Sequence, residues 1–381
     1  MNVEFCRGKK ADRQDILDFA DLVFSKSHCP HDFKTLLPKL YGEQAEFEPL
    51  HYLVKEDGKI RAMICVLPME YQVEGQILKG TGIGTVSVHP AARSKGYMKK
   101  LMQWALEDME KEGYAFGVLG GLRQRYEYFG YTPAGGKMQY FLNRDNLRHR
   151  YRERCFKALT VRPMETQDVE KCYSLFLQRP VHAQRTKETF LVTLQSWKAQ
   201  PYVIEHEGHL EGYFVLGGNH LSELVLTQES LLPDLLHAIF DTLKVDHLQI
   251  TLPLWETQVT PELGHLCEGI QIISDHNYRI MDYAAMVRAF LQIKSGYTPL
   301  PNGTLTLAIR GRQTIRISVR DNVPSVEEVS EQTPDFTLEP LLATRLLFTP
   351  QGWREIPEAG MNLLVRSWFP LPLYLPDPDN C

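Results

Sequence analysis

Residues 79–131 constrain the fold of this chain more than any other stretch. A short β-branched run at 85–88 ends at His89-Pro90, where a strand should stop because proline lacks the N–H that a ladder hydrogen bond needs. Apolar residues between positions 98 and 109 then recur at helical spacing, with charged residues on the other face. The order predicts a strand, a tight loop, an amphipathic helix ending near Gly113, a second strand, a turn and a short helix.

The loop before the predicted helix, residues 93–98 (RSKGYM), suits a pyrophosphate group. A helix N-terminus leaves its first backbone N–H groups without intrahelical partners and carries a partial positive charge. A glycine in the preceding turn lets a phosphate approach the backbone closely. This geometry suits coenzyme A. A loop pattern this short also occurs by chance, so the prediction depends on the order of the surrounding elements.

The loop resembles the [RQ]-x-x-G-x-[GA] signature of the GCN5-related N-acetyltransferases (GNAT), and residues 86–90 resemble the V-x-V-x-P strand end that precedes it. Downstream, residues 126–131 (YEYFGY) are similar to the family's Y-x-x-x-G-[FY] element. Met98 stands where most members have a small residue. A large residue there is typical of the Eis-like (enhanced intracellular survival) branch, which the chain also resembles in length and layout.

The resemblance implies an acetyl-CoA-dependent enzyme that transfers acetyl to a primary amine by direct attack in a ternary complex. Tyr126 is the implied acid for the departing thiolate, because a phenol with a pKa of about 10 stays protonated at neutral pH. The terminal carboxylate of Cys381 is implied to attract the cationic amine and to relay its proton through water. The implied cofactor-binding residues are Val86, Ser87, Val88, Arg93, Ser94, Lys95, Gly96, Tyr97, Met98, Gly121 and Leu122.

Two alternatives concern these roles. Tyr126 could instead be a packed aromatic residue beside Tyr128 and Phe129. The proline-punctuated tail could be purely structural, or disordered, although its four prolines between 370 and 378 favour a stiff end.

An internal repeat predicts a second copy of the fold. Residues 14–16 (QDI) and the hairpin pattern at 52–62 have echoes at 167–169 (QDV) and 202–212, an offset of about 150 residues that indicates a duplicated unit. The second copy lacks an R-x-x-G turn at 227–230, where Glu229 is unsuited to a pyrophosphate, and we interpret it as structural.

The predicted architecture is therefore a mixed α+β or α/β fold of tandem GNAT domains followed by a smaller α+β domain. Its parts are a catalytic GNAT domain at 1–145, a degenerate GNAT domain at 146–285 and, by resemblance, a sterol-carrier-like domain at 286–381. Paired strands are predicted at 305–309 and 315–319, a polar stretch at 320–334 and an apolar helix around 338–347.

Composition favours a cytoplasmic protein. The 42 Lys and Arg against 47 Asp and Glu give a net charge of −5, which predicts no general attraction to nucleic acid or an anionic membrane. The basic stretch at 144–154 is interpreted as a linker. No signal peptide or apolar run of about 18 residues is visible. Seven scattered cysteines without a C-x-x-C indicate reduced thiols.

No metal site is predicted, because the closely spaced ligands at 28–31 (HCPH) have no distant second pair to complete a tetrahedral site. The resemblance suggests polyamines, aminoglycosides or protein lysines as acceptors, and trimers or hexamers as assemblies. Two functions from other classes stay open: a non-catalytic acyl-CoA-binding or regulatory protein, and a structural scaffold.

Overall fold

A computed structural model of the chain describes residues 2–27, 29–330 and 333–381. Its strands form three β-sheets. In chain order the strands are β1 (Val3–Arg7), β2 (His51–Glu56), β3 (Lys59–Val73), β4 (Gln76–Val88), β5 (Phe116–Leu119), β6 (Thr132–Ala134), β7 (Lys137–Asn143), β8 (Thr160–Pro163), β9 (Val181–Ala183), β10 (Gln200–His206), β11 (His209–Gly217), β12 (His220–Leu226), β13 (His247–Pro253), β14 (Cys267–Ile273), β15 (His276–Ile280), β16 (Gly303–Ile309), β17 (Thr314–Arg320), β18 (Val323–Glu328) and β19 (Phe336–Leu338).

The helices pack on the faces of these sheets. They are α1 (Arg13–Ser27), α2 (Phe33–Leu36), α3 (Pro38–Tyr41), α4 (Tyr97–Lys111), α5 (Arg123–Tyr126), α6 (Arg144–Arg150), α7 (Val169–Phe176), α8 (Lys187–Leu194), α9 (Leu232–Leu243), α10 (Thr260–Leu266), α11 (Tyr283–Tyr297), α12 (Pro340–Phe348), α13 (Pro357–Gly360) and α14 (Leu363–Trp368). None of the helices in the described ranges is long and apolar enough to cross a membrane.

The first sheet has the strand order β1-β2-β3-β4-β5-β15-β6, with β9 paired to the end of β3. Strand β1 is an edge strand. The hairpin predicted at 52–62 is confirmed, and its turn at Asp57-Gly58 has the two positive φ angles that a type I′ turn needs. Glu74 and Gly75 turn the next hairpin in the same way. Strands β4 and β5 run parallel and are connected by α4, which buries its apolar face.

The second sheet repeats this plan with the order β8-β10-β11-β12-β13-β7-β14. An edge strand, two antiparallel hairpins and one parallel pair, β12 and β13, follow one another as in the first sheet. Helix α9 connects the parallel pair, as α4 does in the first sheet. The predicted tandem arrangement is therefore confirmed.

Two strands lie in the sheet of the other half. Strand β7 precedes the second half in sequence but pairs with β13 and β14, whereas β15 follows the second half and pairs with β5 and β6. The sheets therefore do not divide at residues 145 and 285. The exchange ties the two halves together through main-chain hydrogen bonds.

The third sheet has the order β18-β17-β16-β19. The predicted pairing of 305–309 with 315–319 is confirmed by the antiparallel β16 and β17. The stretch at 320–334, predicted only to be polar, carries the strand β18. Of its six residues only Val326 is buried, so this edge strand lacks apolar alternation. The likeness of this part to a sterol-carrier domain stays a prediction.

The tail after α14 returns from the third sheet to the first. Leu371, Leu373 and Leu375 are each at most 1% exposed and belong to a core shared with β3 and β5. The Leu373 carbonyl accepts a hydrogen bond of 2.8 Å from the Gly136 N–H. The tail is therefore an ordered, buried segment that ends beside the first sheet.

Candidate active site

The first sheet opens between β4 and β5. Gly80–Ile83 of β4 pair with Phe116–Leu119, but β5 ends there while β4 continues to Val88. On its other edge this continuation pairs with β3. The last residues of β4 thus have no β5 partner within the described chain, which leaves peptide groups for an extended ligand that adds as a strand. Val86 and Val88 are half-buried here, and Ser87 is buried.

A β-bulge lies at the start of this opening. Thr85 has a φ of 44°, a conformation that a β-branched residue rarely adopts. Its hydroxyl lies 3.0 Å from the hydroxyl of Tyr41, which in turn lies 3.0 Å from Nε2 of His51. This buried network supports the strained backbone.

The loop at 93–98 leads directly into α4. Gly96 has a φ of +76°, and a Cβ added there would meet nothing within 4 Å, so glycine is required by conformation and not by crowding. No side chain caps the N-terminus of α4, so its first N–H groups are available to a ligand. Arg93, Ser94 and Lys95 are exposed beside it, and Met98 is half-buried. These groups fit a pyrophosphate.

The loop is braced by one acidic residue of the neighbouring hairpin. Glu56 accepts hydrogen bonds from Lys95 Nζ at 2.6 Å and from the Tyr97 hydroxyl at 2.5 Å. These bonds, Lys95 first, lower the pKa of the Glu56 carboxyl. Two side chains of the predicted pyrophosphate loop therefore hold its shape, while the backbone N–H groups remain for the ligand.

Tyr126 ends α5 and is 8% exposed. Its ring packs on Gly121, where a Cβ would lie 3.1 Å from a ring carbon and where φ is +113°. The Gly121 carbonyl accepts a hydrogen bond of 3.0 Å from Asn277 Nδ2. Burial raises the pKa of Tyr126, with Arg125 opposing, so its phenol is protonated at neutral pH. The adjoining Leu122 is 52% exposed.

The last residue of the chain contacts β4. A Cβ built on Gly82 would lie 2.5 Å from the Cys381 sulfur, and one built on Gly84 would lie 3.1 Å from its carboxyl carbon. These two glycines make room for the terminus just before the bulge at Thr85. The fold thus brings Cys381 to the opening between β4 and β5. Burial raises the pKa of its thiol to about 11, so the thiol is protonated at neutral pH.

No sequence motif predicts several of the side chains that surround the terminus. Lys39 Nζ donates to the Pro378 carbonyl at 2.6 Å, and burial lowers the pKa of Lys39 to about 8. Asn380 Nδ2 donates to His276 Nε2 at 3.0 Å. These residues come from α3, the tail and β15, and only the tertiary fold makes them neighbours.

Among the described residues, no group of His, Cys, Asp and Glu could hold a metal ion. Of the HCPH segment at 28–31, His28 lies outside the described residues.

Comparisons with known proteins identify a domain and a fold. Residues 4–134 match the family model described as an acetyltransferase (GNAT) domain. No curated protein has a matching sequence.

Solved structures share the fold over nearly the whole chain. A GCN5-related N-acetyltransferase from Kribbella flavida is 17% identical with a TM-score of 0.69, covering 99% of this chain and 100% of its own. Eis1 from Mycobacterium abscessus is 14% identical with a TM-score of 0.66, and each chain is covered completely. A probable N-acyltransferase from Enterococcus faecalis V583 is 13% identical with a TM-score of 0.64, covering 89% and 88%. Residues 4–134 therefore match a GNAT acetyltransferase domain, and the chain as a whole shares the fold of these solved structures, Eis1 among them.

Proposed function

We propose that this protein is an acyltransferase that uses acetyl-CoA and transfers the acetyl group to a primary amine by direct attack in a ternary complex. One observation carries the proposal: the chain terminus meets β4 at Gly84, beside the opening where β4 and β5 separate. An amine acceptor must lose a proton during the transfer, and a carboxylate at this position can attract the ammonium form and receive that proton.

Acetyl-CoA, when bound, supplies the activated acyl group. In the proposal its extended arm pairs with the free edge of β4 at Val86, Ser87 and Val88. Its pyrophosphate is held by residues 93–98 and the first turn of α4, and its thioester lies along Gly121 and Leu122. The uncapped α4 N-terminus and the unpaired β4 edge support this placement.

Each proton has a defined place in the proposed reaction. The amine nitrogen forms a bond to the acetyl carbon as the carbon–sulfur bond breaks, and the Tyr126 hydroxyl donates its proton to the leaving thiolate. The ammonium form loses one proton to become the nucleophilic amine and a second as the amide forms; of these two, one restores the Tyr126 hydroxyl and the other is released to solvent. Because a carboxylate with a pKa of about 3.5 is a weak base, the Cys381 carboxylate attracts the cation and relays its proton through water without keeping it.

We further propose that the second GNAT unit binds no cofactor. Between β12 and α9 the chain passes through the 3₁₀ turn Glu229–Leu231, which has no glycine and presents an acidic residue. A pyrophosphate would meet a negative side chain there in place of a glycine turn.

The test is thiol release from acetyl-CoA with a panel of cationic amines: a polyamine, an aminoglycoside and a lysine peptide. Thiol should appear only when an amine is present. Tight acetyl-CoA binding without thiol release from any amine would support a regulatory acyl-CoA-binding protein instead.

The role of the terminus is tested by moving its charge. A chain extended by two glycines past Cys381 should lose turnover, although every side chain is retained. Cys381→Ala should be nearly silent, because the main-chain carboxylate survives. A severe defect in Cys381→Ala together with a harmless extension would show that the thiol matters and the carboxylate does not.

A further inference from the structure

A buried pair of ion pairs fixes the last residues of the chain. Arg185 is 4% exposed and binds Asp379 through Nε and Nη2, both at 2.8 Å. It also binds Glu223 through Nη1 and Nη2, at 2.9 and 2.7 Å. The Tyr213 hydroxyl donates to Glu223 at 2.7 Å. Because both carboxylates are bound in bidentate fashion, the direction and the distance of Asp379 are fixed.

Arg185 itself stands where the first two sheets meet. It follows β9, which pairs with β3 of the first sheet, and the neighbouring Gln184 N–H donates to the Glu70 carbonyl at 2.7 Å. Its other partner, Glu223, belongs to β12 of the second sheet. The guanidinium therefore has a defined position relative to β4, since β3 and β4 are paired along their length.

Asp379 is two residues from the end of the chain. Two residues span at most about 7 Å, so a fixed Asp379 confines the terminal carboxylate to a small volume. The Cys381 N–H donates to Asn380 Oδ1 at 3.0 Å, and Asn380 is bound to His276. These weaker contacts orient the final peptide, while the ion pairs hold it in place.

The energetics favour a positioning role. A buried ion pair contributes little net stability relative to apolar packing of the same volume, because both charges lose their hydration. Here one guanidinium faces two carboxylates, and a further cation, Arg179, lies 4.0 Å from Glu223. What such an arrangement supplies is a single allowed geometry for the tail.

We propose that Arg185 and Asp379 form a clamp through which the second GNAT unit holds the Cys381 carboxylate at the β4 opening, and that both act as positioning residues for acetyl transfer. This inference rests on the proposed role of the terminal carboxylate. It gives the second unit a part in the reaction without a second cofactor site.

The test uses Asp379→Asn in the full chain, with Asp234→Asn as the matched control. Asp234 is likewise buried, at 0% exposed against 7% for Asp379, and it pairs with Arg154 at 2.8 Å in the second unit, away from the tail. Asp379→Asn should lower kcat by about tenfold or more, since a small displacement of a catalytic group is costly, and should leave the Kd of acetyl-CoA within about twofold. Asp234→Asn should lower the Tm but leave kcat unchanged.

A second readout follows the tail itself. Carboxypeptidase should release Cys381 faster from Asp379→Asn than from the Asp234→Asn control. Equal release from both variants would overturn the clamp.

A double-variant cycle separates the clamp from the proposed role of the terminus. In a chain extended past Cys381, Asp379→Asn should cost less than about twofold in kcat, because both changes act through the same carboxylate. An undiminished loss in the extended chain would overturn the inference, and so would a costly extension with a harmless Asp379→Asn. A harmless extension would overturn the proposed role of Cys381, and the inference with it.

Discussion

The two glycines of β4 that face the terminus provide a sharp test of its placement. Gly82 and Gly84 both lie against Cys381, but a Cβ at each would have a different nearest atom, although one at Gly84 would also lie 3.3 Å from the sulfur. A methyl group at Gly82 would meet the sulfur at 2.5 Å, whereas one at Gly84 would meet the carboxyl carbon at 3.1 Å. Gly82→Ala should therefore displace the terminus mainly through its sulfur, and Gly84→Ala mainly through its carboxyl carbon.

The size of the disturbance follows from these distances. Heavy atoms in contact prefer about 3.5–4.0 Å, so the Gly82→Ala contact is too short by at least about 1 Å and the Gly84→Ala contact by roughly half an ångström. Overpacking of this kind costs about 1–3 kcal/mol of unfolding free energy. A catalytic group displaced by about 1 Å can lose about a hundredfold in rate. Both variants should lower the Tm and the rate of thiol release.

Adding Cys381→Ala should distinguish the two routes. It removes the sulfur, after which the nearest atom of residue 381 to the Gly82→Ala methyl is Cβ at 3.7 Å, an ordinary contact. The Gly82→Ala defect should then be largely relieved. The Gly84→Ala defect should persist, because the carboxyl carbon remains.

The assay is thiol release with an active amine, combined with thermal melting and acetyl-CoA titration of each single and double variant. Relief of both variants by Cys381→Ala, or of neither, would refute the placement of the terminus. Wild-type turnover and Tm in Gly82→Ala would refute it as well.

Three further predictions concern the cofactor site, the acid and the response to pH. Tyr126→Phe should lower kcat by about a hundredfold and leave the Kd of acetyl-CoA nearly unchanged, since only a contact to the leaving thiolate is lost; an equal loss of affinity would indicate a binding role. Calorimetry should find one acetyl-CoA site per chain, and Gly96→Glu should abolish binding while the protein stays folded, with its Tm lowered by the strain of a side chain at positive φ; two equivalent sites would contradict this. Burial lowers the pKa of His51 to about 4, so the unfolded chain takes up a proton that the folded chain does not between about pH 6.5 and pH 4. The unfolding free energy should therefore fall by about 3 kcal/mol as the pH is lowered through this window, and His51→Gln should flatten the decline.

Turns and helices whose conformation is set by neighbouring residues in the sequence could be predicted. The turn residues at Asp57-Gly58, the apolar spacing of α4 and Gly96 before it each specify a local conformation without help from distant residues. The repeat at an offset of about 150 residues predicted the second sheet, because the same local signals recur in the same order.

Strand partners and the surroundings of the terminus could not be predicted in this way. An alternating pattern identifies a strand such as β15 but not its neighbours, and β15 pairs with β5 from more than 150 residues away. The positive φ of Thr85 runs against the preference of a β-branched residue and depends on tertiary support from Tyr41. Arg185 and Asp379 belong to no sequence motif. Their proposed role depends on the ion pair between them, which only the folded chain brings together.

The path of the tail explains how all three sheets contribute to the proposed active site. The first sheet contains the opening, Glu223 of the second sheet binds the clamp residue Arg185, and the tail runs from the third sheet to both. Leu373 is tied to Gly136 at one end of the last stretch, and Asp379 is tied to Arg185 at the other. With one residue more or fewer between these ties, both could not be kept without distortion; if the Leu373 tie were kept and Asp379 released, the terminus would move by up to about 3.5 Å, away from the space beside Gly82 and Gly84. The register of the tail, and not its chemical composition alone, therefore determines where the terminal carboxylate lies.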